Sequence, residues 1–160
     1  MKRPYRIILA LLATLVIAAA CGSMAHAACT VSTTGVNFGA YDVFQVTHTD
    51  STGTITVSCN KKRKKRKAKI KILIGPSANS GVFNPRQLRH AITGEVLNYN
   101  LFTGPRMRRI WGDGTGGTRT RKKRVRKKKP WVATVYGRLF AGQDVSVGLY
   151  TDTLTVTILP

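Results

Sequence analysis

From Ala68 to Ile74 the chain reads Ala-Lys-Ile-Lys-Ile-Leu-Ile. Ala68, Ile70, Ile72 and Ile74 occupy alternate positions, with Lys69, Lys71 and Leu73 between them. A period of two marks a strand with one face in a core, and no helix shares it. The pattern recurs. Thr54 to Cys59 alternates with Ile55, Val57 and Cys59 on one face. Val96 to Phe102 and Trp131 to Leu139 are two more runs rich in strand-forming residues. Val145 to Ile158 is long enough for two strands or one bent strand, with Gly148 as a bulge. Cys29 to Tyr41 adds one or two more around Gly35 and Gly39. Asp50-Ser51-Thr52-Gly53 reads as a turn whose glycine supplies positive φ. Nothing after residue 28 sustains a 3.6-residue period. Six or seven strands at this spacing predict one all-β domain, a single antiparallel β-sandwich.

The first 27 residues predict an address rather than a fold. Lys2, Arg3 and Arg6 precede an apolar run from Ile7 to Ala20, and Ala25-His26-Ala27 fits a small-residue cleavage site. A membrane anchor is the alternative, but a span needs roughly 20 apolar residues. A lipoprotein at Cys21 is a further one, although the usual Leu three residues before the Cys is missing. The expected domains are a secretory signal over 1–27 and a sandwich over 28–160, with no stable membrane insertion after cleavage. Cys29 and Cys59 then remain as an even pair in an oxidising compartment, so a disulfide is expected. Closing such a loop contributes roughly 3–4 kcal/mol in the chain-entropy model. The two cysteines as metal ligands would lack companions, since His48 and His90 are isolated and no CxxC occurs.

The chain carries 27 Lys+Arg against 6 Asp+Glu, a formal charge of +21. At 42% hydrophobic it is not a charge-dominated disordered chain. Its charge is concentrated in two runs. The first is Lys61, Lys62, Arg63, Lys64, Lys65, Arg66 and Lys67. The second, over 119–129, holds Arg119, Arg121, Lys122, Lys123, Arg124, Arg126, Lys127, Lys128 and Lys129. Three readings of the runs stand side by side. They are solvated hairpin ends, a surface for anionic polymers such as lipopolysaccharide, capsule or extracellular DNA, or an intracellular nucleic-acid or nuclear-localisation element. The signal segment opposes the last, as does the lack of aromatics interleaved with the charges.

Catalytic patterns are not found. There is no G-x-S-x-G elbow and no pair of acids at catalytic spacing. Trp111 to Gly117 lacks the Lys-Ser/Thr of a phosphate loop and the carboxylates of an EF-hand, and reads as a turn. Asp152 is expected to hydrogen-bond at a turn or strand edge. Arg138 is expected to make a structural ion pair, with Asp42 and Asp113 as candidate partners, or a backbone contact. Tyr99 and Tyr136 are expected on core or strand faces. No catalytic residue, metal or cofactor is expected. The last run, Thr153 to Pro160, is apolar on alternate positions at Leu154, Val156 and Ile158 and has no sequel. Such an edge invites a strand from another chain.

A series of motifs is similar to the spore coat protein U domain family, secreted bacterial proteins akin to archaic chaperone–usher pilins. Cys29 to Asp42 resembles its opening, and Ser51 to Cys59 its second-Cys strand. Asn84-Pro85-Arg86-Gln87-Leu88 resembles its Pro-Arg element, and Leu97-Asn98-Tyr99-Asn100-Leu101-Phe102-Thr103 a characteristic strand. Trp111-Gly112-Asp113-Gly114-Thr115-Gly116-Gly117 resembles its glycine loop. Tyr136-Gly137-Arg138 through Gln143, then Gly148 to Val156, resemble its closing elements. The resemblance implies an immunoglobulin-like, pilin-type antiparallel β-sandwich lacking its last strand, and no enzymatic role. It implies a periplasmic chaperone, an outer-membrane usher and a neighbouring subunit as strand donor. It implies periplasmic transit to a pilus or coat that serves adhesion or biofilm formation. Cleavage after Ala27 leaves only Ala28 before Cys29, so the chain is expected to accept a donor strand at Leu154, Val156 and Ile158 but not to give one.

Overall fold

The computed structural model describes residues 28–60, 68–126 and 129–160. The expected signal segment and the run 61–67 lie outside these residues, as do Lys127 and Lys128. Nine strands and no helix occur among the described residues. They are β1 (Ala28–Thr34), β2 (Thr49–Asn60), β3 (Ala68–Ile74), β4 (Arg86–His90), β5 (Val96–Phe102), β6 (Arg121–Val125), β7 (Trp131–Leu139), β8 (Tyr150–Thr151) and β9 (Val156–Leu159). One sheet has the order β1-β2-β7-β5-β4-β8 and the other β6-β3-β9. Every ladder is antiparallel.

The alternating residues become the core. Ile55, Val57 and Cys59 of β2 meet Ile70, Ile72 and Ile74 of β3, with Leu97, Tyr99, Leu101, Trp131, Ala133, Val135 and Leu139 from β5 and β7. Each fully buried Leu, Ile or Val side chain stabilises the fold by about 1.5–3 kcal/mol. Cys29 and Cys59 are register partners of β1 and β2, and a disulfide joins them.

Several expectations need correction. Asp50 to Gly53 is no turn but the start of β2, paired with Arg138 to Val135 of β7. Gly53 serves close approach: a Cβ there would lie 2.6 Å from the Thr34 carbonyl oxygen. Gly148 is not a strand bulge. It precedes β8, where a Cβ would collide with the His90 ring. Val145 to Ile158 yields two short strands and Cys29 to Tyr41 one, each among the expected alternatives. The second basic run is not simply a loop, because Arg121 to Val125 forms β6. Arg138 pairs with neither Asp42 nor Asp113. It forks onto Asp50, its register partner, with both contacts at 2.7 Å.

Candidate strand-accepting groove and cationic face

β1 pairs only with β2, and β9 only with β3, so each presents a free backbone edge among the described residues. Beyond Thr34 the chain leaves its sheet. Val36 and Phe38 pass over the glycines of the sheet beneath: a Cβ on Gly137 would lie 2.7 Å from Val36 and 2.9 Å from Phe38. Phe38 then meets Tyr99 edge-on at 5.8 Å. The segment 33–38 becomes one wall of a groove, and Asp152, Leu154 and Val156 the other. Ile55, Ile74, Leu88, Tyr99, Leu101 and Val135 form its floor. This part holds about 220 Å3. A second hollow of about 620 Å3 continues it between residues 36–43 and 145–150.

The expected edge residues do not all line the groove, and its other wall has no counterpart among them. Leu154 and Val156 line the groove. Ile158 packs against the core beside its partner Ile72 and is not among the lining residues. The opposite wall was visible as Val36-Asn37-Phe38 framed by Gly35 and Gly39. Its significance depends on the crossing over Gly53 and Gly137, a tertiary feature.

Polar groups brace the groove. The Tyr99 hydroxyl donates to Asp152 at 2.7 Å. Burial, aided by this bond, raises the Tyr99 pKa and keeps the phenol neutral. Asp152 also accepts from the Ala78 amide and the Asn79 side chain, as expected of a turn residue. Arg86, fully buried, donates to Asn100 at 2.9 Å and to the carbonyls of Gly75 and Trp111 at 2.9 and 2.8 Å. Burial lowers its pKa because the charge is desolvated. Across the sandwich, the Arg138 hydrogen bond holds the Asp50 carboxyl below the usual range.

The cationic residues occupy one end. Ala68, which follows the first run, is the register partner of Val125 in the second. Six positions after Val125, Trp131 opens β7 as the partner of Val57 near the end of β2. Both runs are therefore anchored where β2 and β6 end and β3 and β7 begin. Within β6 the cations divide by face. Arg121 and Lys123 oppose the inward Ile72 and Ile70, and lie over the rings of Trp111 and Trp131 at 5.4 and 5.9 Å. Lys122 and Arg124 share the outer face with Lys71 and Lys69, their partners. The sequence reading did not single out Lys69 or Lys71, because they belong to an ordinary alternating strand. Arg119, Arg126 and Lys129 are exposed in the flanking turns.

Among the described residues no three His, Cys, Asp or Glu side chains gather as a metal site. No helix there is long and apolar enough to cross a membrane.

A two-sheet antiparallel domain with an unfilled groove between two free edges defines the class of protein. The chain matches the Spore Coat Protein U domain over residues 12–157, and it belongs to that family. No curated protein matches it. Among solved structures it is similar to a chain of the CsuC-CsuE chaperone–tip adhesion subunit pre-assembly complex, from the archaic chaperone-usher Csu pili of Acinetobacter baumannii. The identity is 15% and the TM-score 0.56, over 82% of this chain and 39% of that one. A chaperone–tip adhesin complex of CFA/I fimbriae aligns at 9% identity and a TM-score of 0.36, over 81% of this chain and 42% of that one. The chain thus spans about two fifths of the solved chains it resembles.

Proposed function

We propose that the protein is an exported, non-enzymatic subunit of a chaperone–usher-type pilus or surface coat, whose groove accepts a strand from a partner chain. Residues 1–27 would be the signal and 28–160 the subunit domain. The observation that carries the reading is the apolar floor left open between two free strand edges. An inserted strand would bond to backbone on either side and bury alternate side chains against the floor. Leu154 and Val156 would contact it directly, and Ile158 would hold their strand against β3. A periplasmic chaperone would supply the first strand. At the outer-membrane usher a neighbouring subunit would replace it. The resulting surface structure would support adhesion or biofilm formation.

The test is complementation. A peptide of about ten residues, apolar on alternate positions, should bind the exported protein and raise its melting temperature. Leu154→Asp with Val156→Asp should weaken that binding at least tenfold, because charges would face an apolar strand. A peptide that binds wild type and this variant equally would refute the reading.

One observation favours a second function for another part of the surface. Both basic runs are anchored at the same end, so their fields add rather than disperse. We propose that this end binds anionic polymers.

A further inference from the structure

We infer that the outer face of the β3–β6 ladder is a trough for one extended acidic polysaccharide chain. This inference rests on the reading that the cationic end binds anionic polymers, and moves the contact from the runs to a sheet face. Lys69 stands directly opposite Arg124, and Lys71 opposite Lys122. Like charges facing each other across an antiparallel ladder repel and destabilise it. No carboxylate side chain among the described residues forms an ion pair with them: Asp50 pairs with Arg138, and Asp152, Asp113 and Glu95 accept hydrogen bonds from the Tyr99, Thr115 and Thr93 hydroxyls. Asp42 and Asp144 lie in the loops that enter β2 and leave β7, at the far end of the domain. An external anion seated on this face would relieve the repulsion.

The shape limits what that anion is. The four cations, with Ile70, Lys123 and Pro160, line a shallow trough of about 420 Å3. It is two strands wide, with paired Cα atoms about 5 Å apart. Successive outward pairs are about 7 Å apart along the strands. That footprint suits a single extended chain rather than a duplex. A single nucleic-acid strand gains affinity by stacking its bases on aromatic side chains. None is offered here: Trp111 and Trp131 are buried, and Arg121 and Lys123 already cover their rings. An anionic membrane surface is favoured by apolar side chains beside the cations. Among the described residues the one exposed large apolar side chain beside these cations is part-exposed Leu159, the register partner of Lys71, and the most exposed ones, Phe44, Val46, Ile92, Val147 and Leu149, lie at the opposite end. A flexible polymer with carboxylate or sulfate groups is the chemistry left.

The test uses the exported protein with heparin and polygalacturonate as probes, titrated from 50 to 300 mM NaCl. A DNA duplex, a thymidine oligonucleotide and phosphatidylglycerol vesicles serve as competitors. Wild type should bind both polysaccharides, with affinity falling steeply as salt rises. The variant Lys69→Gln, Lys71→Gln, Lys122→Gln, Arg124→Gln should bind at least tenfold more weakly. Its log–log salt slope should be shallower by about 2–3, at about 0.7 per lost contact. Replacing 61–67 by Ser and Gly should leave the share of the slope that belongs to the face. Arginine at 69, 71 and 122 should preserve binding, which separates lost charge from a damaged sheet. Loss of binding on replacing 61–67, with the face variant unaffected, overturns the inference and leaves the broader polyanion reading standing. No binding of any polyanion by wild type overturns both. Tighter binding of the duplex, oligonucleotide or vesicles through these four residues overturns the assignment to a polysaccharide.

Discussion

Arg86 carries a guanidinium into the interior without a carboxylate among its hydrogen-bond partners. Its fork bridges the two sheets: it starts on β4, reaches Gly75 at the end of β3, and holds the Trp111 carbonyl from the glycine-rich segment. The Phe83 ring lies 5.5 Å from its charge. Methionine would match much of its length and none of its donors. Asn100 would keep the Leu101 amide as a donor, but the Gly75 and Trp111 carbonyls would lose theirs. Each stranded buried acceptor costs about 1–3 kcal/mol. Arg86→Met should therefore lose about 3 kcal/mol, read as a lower urea midpoint with an unchanged slope. Arg86→Lys should recover only part, since one ammonium lacks the planar fork. An unchanged midpoint in Arg86→Met would show that the fork contributes no net stability. This clamp was legible only as a Pro-Arg element in a familiar series. A charged residue gives no periodic signal that it belongs in a core, and β4, which contains it, was not read as a strand for the same reason.

At the scale of elements, β2, β3, β5 and β7 were legible because their inward positions are apolar and their neighbours are not. β6 was illegible because cations, Arg121 and Lys123, fill two of its three inward positions beside Val125. Arg121 and Lys123 lay their chains and charges over tryptophan faces, a contact that periodicity cannot anticipate. The groove divides in the same way. Its β9 wall follows from alternation, whereas its other wall depends on a chain crossing that glycines permit. Gly137 is the sharper case, since added atoms there would press on both Val36 and Phe38. Gly137→Ala should push the 33–38 wall off its floor and destabilise the domain by about 1–3 kcal/mol. It should also weaken binding of a complementing peptide, although residue 137 does not line the groove. Gly104→Ala, with open space around its Cβ and outside the groove lining, is the matched control and should leave both properties nearly unchanged. Equal behaviour of the two variants in denaturation and peptide binding would show that the crossing does not depend on Gly137.

For the whole molecule, the distribution of charge matters more than its total. Residues 28–160 hold 24 Lys+Arg and 6 Asp+Glu, a balance of +18. The described residues contain one ion pair, between Arg138 and Asp50, and it is partly exposed. Such a pair contributes about 0–1 kcal/mol. The two facing pairs on the β3–β6 ladder act against folding, at about 0.2–1 kcal/mol each. Repulsion therefore outweighs attraction, and salt should stabilise the protein. The screening length falls from about 30 Å at 0.01 M to about 3 Å at 1 M, which spans the separation of the facing pairs. Relief of about 1 kcal/mol corresponds to about 3–6 °C in a domain of this size. The melting temperature should rise by that amount between 0.01 and 1 M NaCl at pH 7, followed by near-ultraviolet circular dichroism with the disulfide intact. In the variant with glutamine at 69, 71, 122 and 124, the low-salt melting temperature should already be higher and the rise smaller. Sodium sulfate strengthens apolar burial in any protein, so the comparison belongs in chloride. A melting temperature that falls with chloride would mean that attraction dominates. The ladder would then carry its facing cations at no cost, and the case for an external anion would lose its energetic basis.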